Sequence, residues 1–317
     1  VPGEVATANA KELVTMRKLF KGAASQALIG FAALIGMGGT ALAANDCPGG
    51  VLRYGVVPSD QSAAFVPLYD KITRQISLKL GCPVELKVGT SYTATIEAMR
   101  AGKLDAGEFG PLSYVLAHQI ADAQAVATYE KANGQPDTYT ASIVTWPGSG
   151  ITTLKGVAGH TFAYSDPAST SGHLFPAYAF KSAGIDPDHG IRAIYAGSHT
   201  ASYEALLNHK VQAGEINSDE VLSASHAGIY DPKDFVVLWT SSPIPEDPIA
   251  IRGDLPPAFK AKLTEVLAHL DLSSIPADEI KITGLTGKGY IPVTDSAYDG
   301  IRSLVTVLHL NLAKMGS

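Results

Sequence analysis

The sequence has 317 residues, 46% hydrophobic and 17% charged, with 24 Lys and Arg against 30 Asp and Glu and a net charge of −6. That balance suits a soluble globular chain of one large or two medium domains. It excludes a nucleic-acid binder, because an acidic chain with no Lys/Arg stripe and no interleaving of basic and aromatic residues repels a phosphate backbone.

Residues 1–43 read as an export signal with an upstream extension. Arg17 to Lys21 is a positive region, Ala27 to Met37 an apolar stretch broken by glycines, and Ala41-Leu42-Ala43 an A-x-A cleavage site. The apolar stretch is too short and glycine-rich for a membrane anchor. Setting aside residues 1–43, which carry four of the basic and two of the acidic residues, leaves an exported chain of charge −8. Export permits a disulfide between the two cysteines, Cys47 and Cys82, provided that the strands they precede are parallel neighbours.

The first strand pattern is Val51 to Val57. A helix pattern follows through Phe65, Leu68, Ile72, Ile76 and Leu80, spaced by three and four, and then a strand at Val84 to Val88; together these make a right-handed βαβ unit. A second helix after Tyr92 and Thr93 carries Ile96 and Met99 and stops at Gly102. Leu104 to Gly107 is a third strand, and a helix runs from Leu112 to about Ile120. Ala123 to Tyr129 and Thr138 to Trp146 read as strands around a polar turn, and mark the hinge. The second α/β unit has strands at Thr161–Tyr164, Ile191–Tyr195 and Val211–Ile216. Its helices are Ser169–Ala183, one starting at Gly197-Ser198-His199-Thr200, and Glu220–Ala227. Phe235–Thr240 and Ile249–Arg252 read as strands returning to the first unit across the proline-stiffened Ser241 to Pro248. Pro257–Leu270 and Ser296–Leu312 are helical.

This alternation predicts an α/β fold of two lobes with mostly parallel sheets. Residues 44–137 and 241–317 form a discontinuous lobe 1, and residues 138–240 form lobe 2. Ligands in such folds bind beyond the carboxyl ends of the strands, where helices begin. The strand-to-helix junctions here, including Ser59/Asp60, Ser91 to Thr93, Glu108/Phe109, Ser169 to Ser171, Ser198 to Thr200 and Asn217 to Asp219, are rich in hydroxyls. Several helix N-termini converging on one cleft hold a small tetrahedral oxyanion without Arg or Lys. The plainer readings are an ordinary Ser/Thr cap at Ser169, cleft packing for Tyr92, a surface position for His199 and a turn residue at Asp247. Glu108 reads as solvent-facing or hinge-bonded, and His173 as packing.

The motifs Tyr92 to Arg100, Phe109 to Tyr114, Asp166 to Gly172, Gly197-Ser198-His199 and Ile244 to Pro248 resemble those of the phosphonate/phosphite/phosphate-binding proteins of ABC importers. That family is a branch of the type II periplasmic binding proteins, and the likeness runs in the same order over about residues 50–312. The resemblance implies that Ser169, Thr170 and Ser171 hold the phosphoryl oxygens, and that Tyr92, Thr93 and His199 complete the shell. The same resemblance implies that Asp247 accepts a hydrogen bond from a P–OH or an amino substituent. Phe109 or Tyr92 supplies an apolar wall that disfavours phosphate. Two departures bear on the ligand: Glu108 stands where relatives often have a bulky aromatic, and Asp219 falls where aminoalkyl-phosphonate binders carry an acid. Both join the candidate ligand contacts.

The implied function is capture of a phosphite or small phosphonate in the periplasm by a monomer, for delivery to a membrane permease. Sensing on behalf of a histidine kinase is the rival. No cofactor or metal is expected, since the histidines lack zinc spacing. A hydrolase is not supported, for there is no G-x-S-x-G elbow or H-E-x-x-H. Gly284 to Gly289 lacks P-loop spacing and reads as a loop.

Overall fold

Strands β1 (Leu52–Val56) and β2 (Val84–Val88) pair in parallel, Leu52 beside Val84, through helix α1 (Phe65–Leu80). The apolar positions of α1 face the sheet, and Gly81 ends the helix at φ 78°, a left-handed conformation in which a side chain is strained. These and the following elements come from a computed structural model that describes residues 47–310. The export signal, its cleavage site and the end of the predicted C-terminal helix lie outside those residues. Cys47 and Cys82 are joined by a disulfide, with Cα atoms 6.2 Å apart, at the entry to the two parallel strands.

Next come α2 (Tyr92–Arg100), β3 (Ala106–Glu108), α3 (Pro111–Ala121) and β4 (Ala123–Tyr129). The first crossing is the short β5 (Thr138–Tyr139). The second unit holds β6 (Ala141–Thr145), β7 (Thr161–Tyr164), α4 (Phe175–Ser182), β8 (Arg192–Tyr195), α5 (His199–Leu207), β9 (Ala213–Asn217), α6 (Ser218–His226) and β10 (Val236–Thr240). The return crossing, β11 (Ile244–Pro245), pairs antiparallel with β5, so the two crossings lie side by side. The described residues end with β12 (Ile249–Arg252), α7 (Pro257–Ala268), α8 (Ala277–Ile280), β13 (Tyr290–Pro292) and α9 (Asp299–Leu308).

The two sheets run β13-β4-β12-β3-β1-β2 and β10-β6-β9-β7-β8. They are mixed rather than mostly parallel. Strands joined by βαβ units are parallel, as in β1/β3 and β7/β8. Those flanking the crossings, β4, β6, β10 and β12, meet their neighbours antiparallel, because a chain that leaves one sheet and re-enters it arrives from the other direction. Val236–Thr240 also stays in the second sheet, beside β6, and β12 is the strand that rejoins the first. The sequence gives no warning of β13, three residues long with a proline at its end.

Both sheets are covered on both faces, as an α/β fold requires. In the first, Ile72, Ile76 and Leu263 pack on one side and Ile96, Leu112 and Ile301 on the other. In the second, Phe180 with Phe162 faces Leu206 with Val144 across the sheet. The carboxyl ends of the parallel strands are thereby left for the site.

Candidate ligand-binding site

The chain leaves β7 at Tyr164 and enters α4 through one wide π-helical turn, Thr170–Leu174. Ser169 caps it, its Oγ accepting from Gly172 N at 3.1 Å, while Ser165 N donates to Gly172 O at 3.2 Å. Glycine is demanded at 172 by space: a Cβ there would fall 1.7 Å from Ser165 Oγ and 2.8 Å from both Ser165 Cβ and Ser169 Oγ. Ser169, Thr170 and Ser171 are buried and line one cavity. The Tyr92 phenol bonds to the hydroxyl of Ser169, and that of Tyr139 to Ser171. Thr170 Oγ1 accepts from Leu112 N of the opposite lobe at 2.8 Å, leaving its own proton for another partner.

His199, the first residue of α5, is backed by Glu215 of β9. Its Nδ1 lies 3.0 Å from both Glu215 oxygens and its Nε2 3.3 Å from Ser169 Oγ. Burial alone pushes the imidazole down, but the Glu215 carboxylate outweighs it through charge and hydrogen bond, lifting His199 to about 9. At neutral pH, then, an imidazolium faces the serine turn.

The cavity, of about 70 Å³, has room for roughly five to seven water-sized atoms. No Lys or Arg lines it, whereas six carboxyl residues do: Asp60, Glu108, Asp219, Glu220, Glu246 and Asp247. Burial raises Glu108, Asp219 and Glu220 to about 7. Glu246 and Asp247 are pushed well above the ordinary carboxylate range by burial and by neighbouring carboxylates, Asp219 and Asp247 for the first, Glu108 and Asp219 for the second. The sign of the resulting pH dependence is fixed. Acids whose folded pKa is raised bind more protons folded than unfolded, so stability falls as pH climbs from about 4 to 7. His199, raised above its ordinary value, contributes stability that is lost as pH rises through about 9. Ligand-free protein is therefore expected to melt several degrees lower at pH 8 than at pH 5.5; a scanning-calorimetry profile flat or rising over that range would contradict these assignments.

Of the residues singled out in the sequence, Tyr92, Ser169, Thr170, Ser171, His199, Asp247, Glu108 and Asp219 all line the cavity. Thr93 and Phe109 do not. Thr93 follows Tyr92 on a helix and so points about 100° away. Phe109 succeeds Glu108 at the end of an extended strand and faces the core packed by Leu112 and Leu174. Glu108 is not solvent-facing: it is 5% exposed, accepting from Tyr69 Oη at 2.5 Å and Tyr129 Oη at 2.7 Å. His173 packs edge-on against Tyr164 and bonds to Pro167 O at 2.7 Å. Gly284 lets its loop press on α6 beside Asp219, a Cβ there falling 2.7 Å from Asp219 Oδ1. Glu215, Tyr69, Tyr129 and Tyr139 were not singled out in the sequence, and Glu246 entered only as part of the motif Ile244 to Pro248.

Hydrogen bonds across the cleft draw the lobes around this cavity. His199 N donates to Ser59 O at 3.0 Å, and Asp60 accepts from Thr200 Oγ1 at 3.2 Å and Ser223 Oγ at 3.3 Å. Tyr92 N, at the start of α2, faces Asp166 Oδ2 at 3.4 Å.

Two α/β lobes around a buried cavity lined by a hydroxyl-rich turn have the architecture of the type II periplasmic binding proteins. The sequence matches, over residues 54–298, the family described as the ABC transporter, phosphonate, periplasmic substrate-binding protein, and the chain belongs to that family. It is 27% identical over 270 residues to the phosphate-import protein PhnD of Mycolicibacterium smegmatis, covering 79% of this chain and 84% of the relative. To the phosphonates-binding periplasmic protein of Escherichia coli it is 29% identical over 217 residues, 67% of this chain and 64% of the relative. Among solved structures, PhnD1 of Prochlorococcus marinus in complex with methylphosphonate superposes with a TM-score of 0.70 at 21% identity, covering 82% of this chain and 98% of that one. A binding component of the Pseudomonas aeruginosa ABC phosphonate transporter gives a TM-score of 0.72 at 24% identity, covering 82% and 86%.

Proposed function

We propose that the protein is the solute-binding component of an ABC importer for a small phosphonate, and that the phosphonate bears an amine. The carrying observation is a buried hydroxyl turn, Ser169 to Ser171, set beside the His199 imidazolium in a cavity otherwise lined by carboxyls. Hydroxyl and backbone N–H donors at a turn leading into a helix receive the oxyanion, and His199 adds a charge-assisted bond. The phenol of Tyr92 and the carboxyl of Asp247 complete the shell. Six acids are a poor lining for a bare anion; a ligand with its own positive charge offsets them. Phosphite and inorganic phosphate bring no such charge, and methylphosphonate only an apolar face. A structural neighbour solved in complex with methylphosphonate and two relatives named for phosphonates support the class.

The protein is exported by its N-terminal signal, cleaved after Ala43, and works in the periplasm as a monomer. Its lobes, 44–137 with 241–317 and 138–240, open and close about the paired crossings β5 and β11. Closure buries the ligand without chemistry, and the closed form is read by an inner-membrane permease. Family membership favours this role over signalling to a kinase, and the relatives are transport proteins rather than enzymes.

A ligand-stripped sample heated with each candidate solute tests the reading, since a ligand that binds only the folded state raises the melting temperature with its concentration. Aminoalkylphosphonates are expected to raise it most, simple alkylphosphonates less, and sulfate not at all. A uniform lack of response to phosphorus oxyanions would contradict the proposal.

A further inference from the structure

One part of the cavity has no role in holding an oxyanion. Glu108 ends β3, the strand between β1 and β12, and lines the cavity with Phe65, Tyr69 and Tyr129. Tyr69 and Tyr129 both donate to its Oε1, and Tyr290 approaches Oε2 at 3.5 Å. A phenol has one proton, and these are committed to Glu108. This wall therefore offers a ligand no hydroxyl donor. It offers a carboxylate whose Oε2 keeps acceptor capacity, and the paired rings of Phe65 and Tyr69, with centroids 4.7 Å apart. Carboxylate and aromatic rings together are complementary to an organic cation and repel an oxyanion.

Among the other acids, Glu246 and Asp247 are less suited to fix a cation's charge. Asp219, Glu246 and Asp247 crowd one another, so burial and mutual repulsion favour their neutral forms. Burial raises Glu108 to about 7 as well, but the phenols of Tyr69 and Tyr129 donate to it and oppose that rise.

We infer that Glu108, held by Tyr69 and Tyr129, is the specificity-determining residue that receives the ammonium group of the phosphonate ligand. This rests on the phosphonate reading above and assigns the residue that selects the substituent. The test compares 2-aminoethylphosphonate with propylphosphonate, which replaces the ammonium by a methyl group at equal length, by calorimetric titration at pH 8. Wild-type protein is expected to prefer the amine at least about tenfold. In Glu108→Gln the preference falls by about tenfold while propylphosphonate binds as well or better, since an anion-repelling charge is gone. Should Glu108→Gln not fold, Tyr69→Phe gives a second measure: with one donor lost, the carboxyl holds its proton more firmly and the amine preference drops about threefold. An amine preference unchanged in these variants, or lost only on changing Asp219 or Asp247, overturns the assignment and leaves phosphonate binding intact. Failure of wild-type protein to bind either compound overturns the phosphonate reading itself, and this inference with it.

Discussion

Gly172→Ala is expected to weaken phosphonate binding by at least about 100-fold, more than any single loss of a hydroxyl in the turn. The reason is geometric. The new methyl meets Ser165 Oγ at 1.7 Å and, more decisively, Ser165 Cβ at 2.8 Å, so rotating one hydroxyl aside does not make room and backbone must move. The segment that moves carries the Ser169 cap and with it Thr170 and Ser171. Each hydrogen bond to a charged ligand is worth about 1.5–3 kcal/mol, so misaligning two of them accounts for the expected loss. Because the change is local to the turn, circular dichroism is expected to stay native. Near-wild-type affinity would show that the turn does not hold the anion.

His199→Gln is the second large effect. The substitution keeps a hydrogen-bonding side chain but removes the one cation among the cavity-lining residues and leaves Glu215 buried without its charge partner. Affinity is expected to fall by about 10- to 100-fold, the range of one charge-assisted bond. The pH dependence identifies the group. In wild-type protein His199 is protonated below about 9, so affinity should decline as pH rises through that value. In Glu215→Gln the partner that overcame burial is gone, and the decline should shift toward neutral pH. A wild-type affinity constant from pH 7 to 10 would argue against an imidazolium in the site.

Much of the site was legible because helix starts are local events. Ser91, Ser198 and Asn217 cap α2, α5 and α6 with bonds to N–H groups two or three residues on, and a cap announces itself in sequence. Glu215 was not legible, since a carboxylate within a β-strand looks like any alternating polar residue until His199 is brought against it from another element. Tyr69 and Tyr129 sit at apolar positions of α1 and β4, where a tyrosine reads as core. Glu108 was read as facing solvent or bonded at the hinge, with no way to choose, because only long-range donors justify a buried carboxylate. Its neighbour Phe109 was expected in the cavity for the same lack: strand alternation says that the two residues face opposite ways, but not which one faces the ligand. The mixed sheets follow a similar logic, for strand direction in the crossings depends on how the lobes connect rather than on the residues in them.

Isothermal titration of ligand-stripped protein with 2-aminoethylphosphonate, run beside Ser169→Ala, tests the central claim most directly. One site per chain with a dissociation constant of about 1 µM or tighter is expected, weakened about tenfold or more in the variant, with inorganic phosphate binding far more weakly than the phosphonate. Absence of heat from a folded wild-type sample, or equal affinity for phosphate and the phosphonate, would contradict the account.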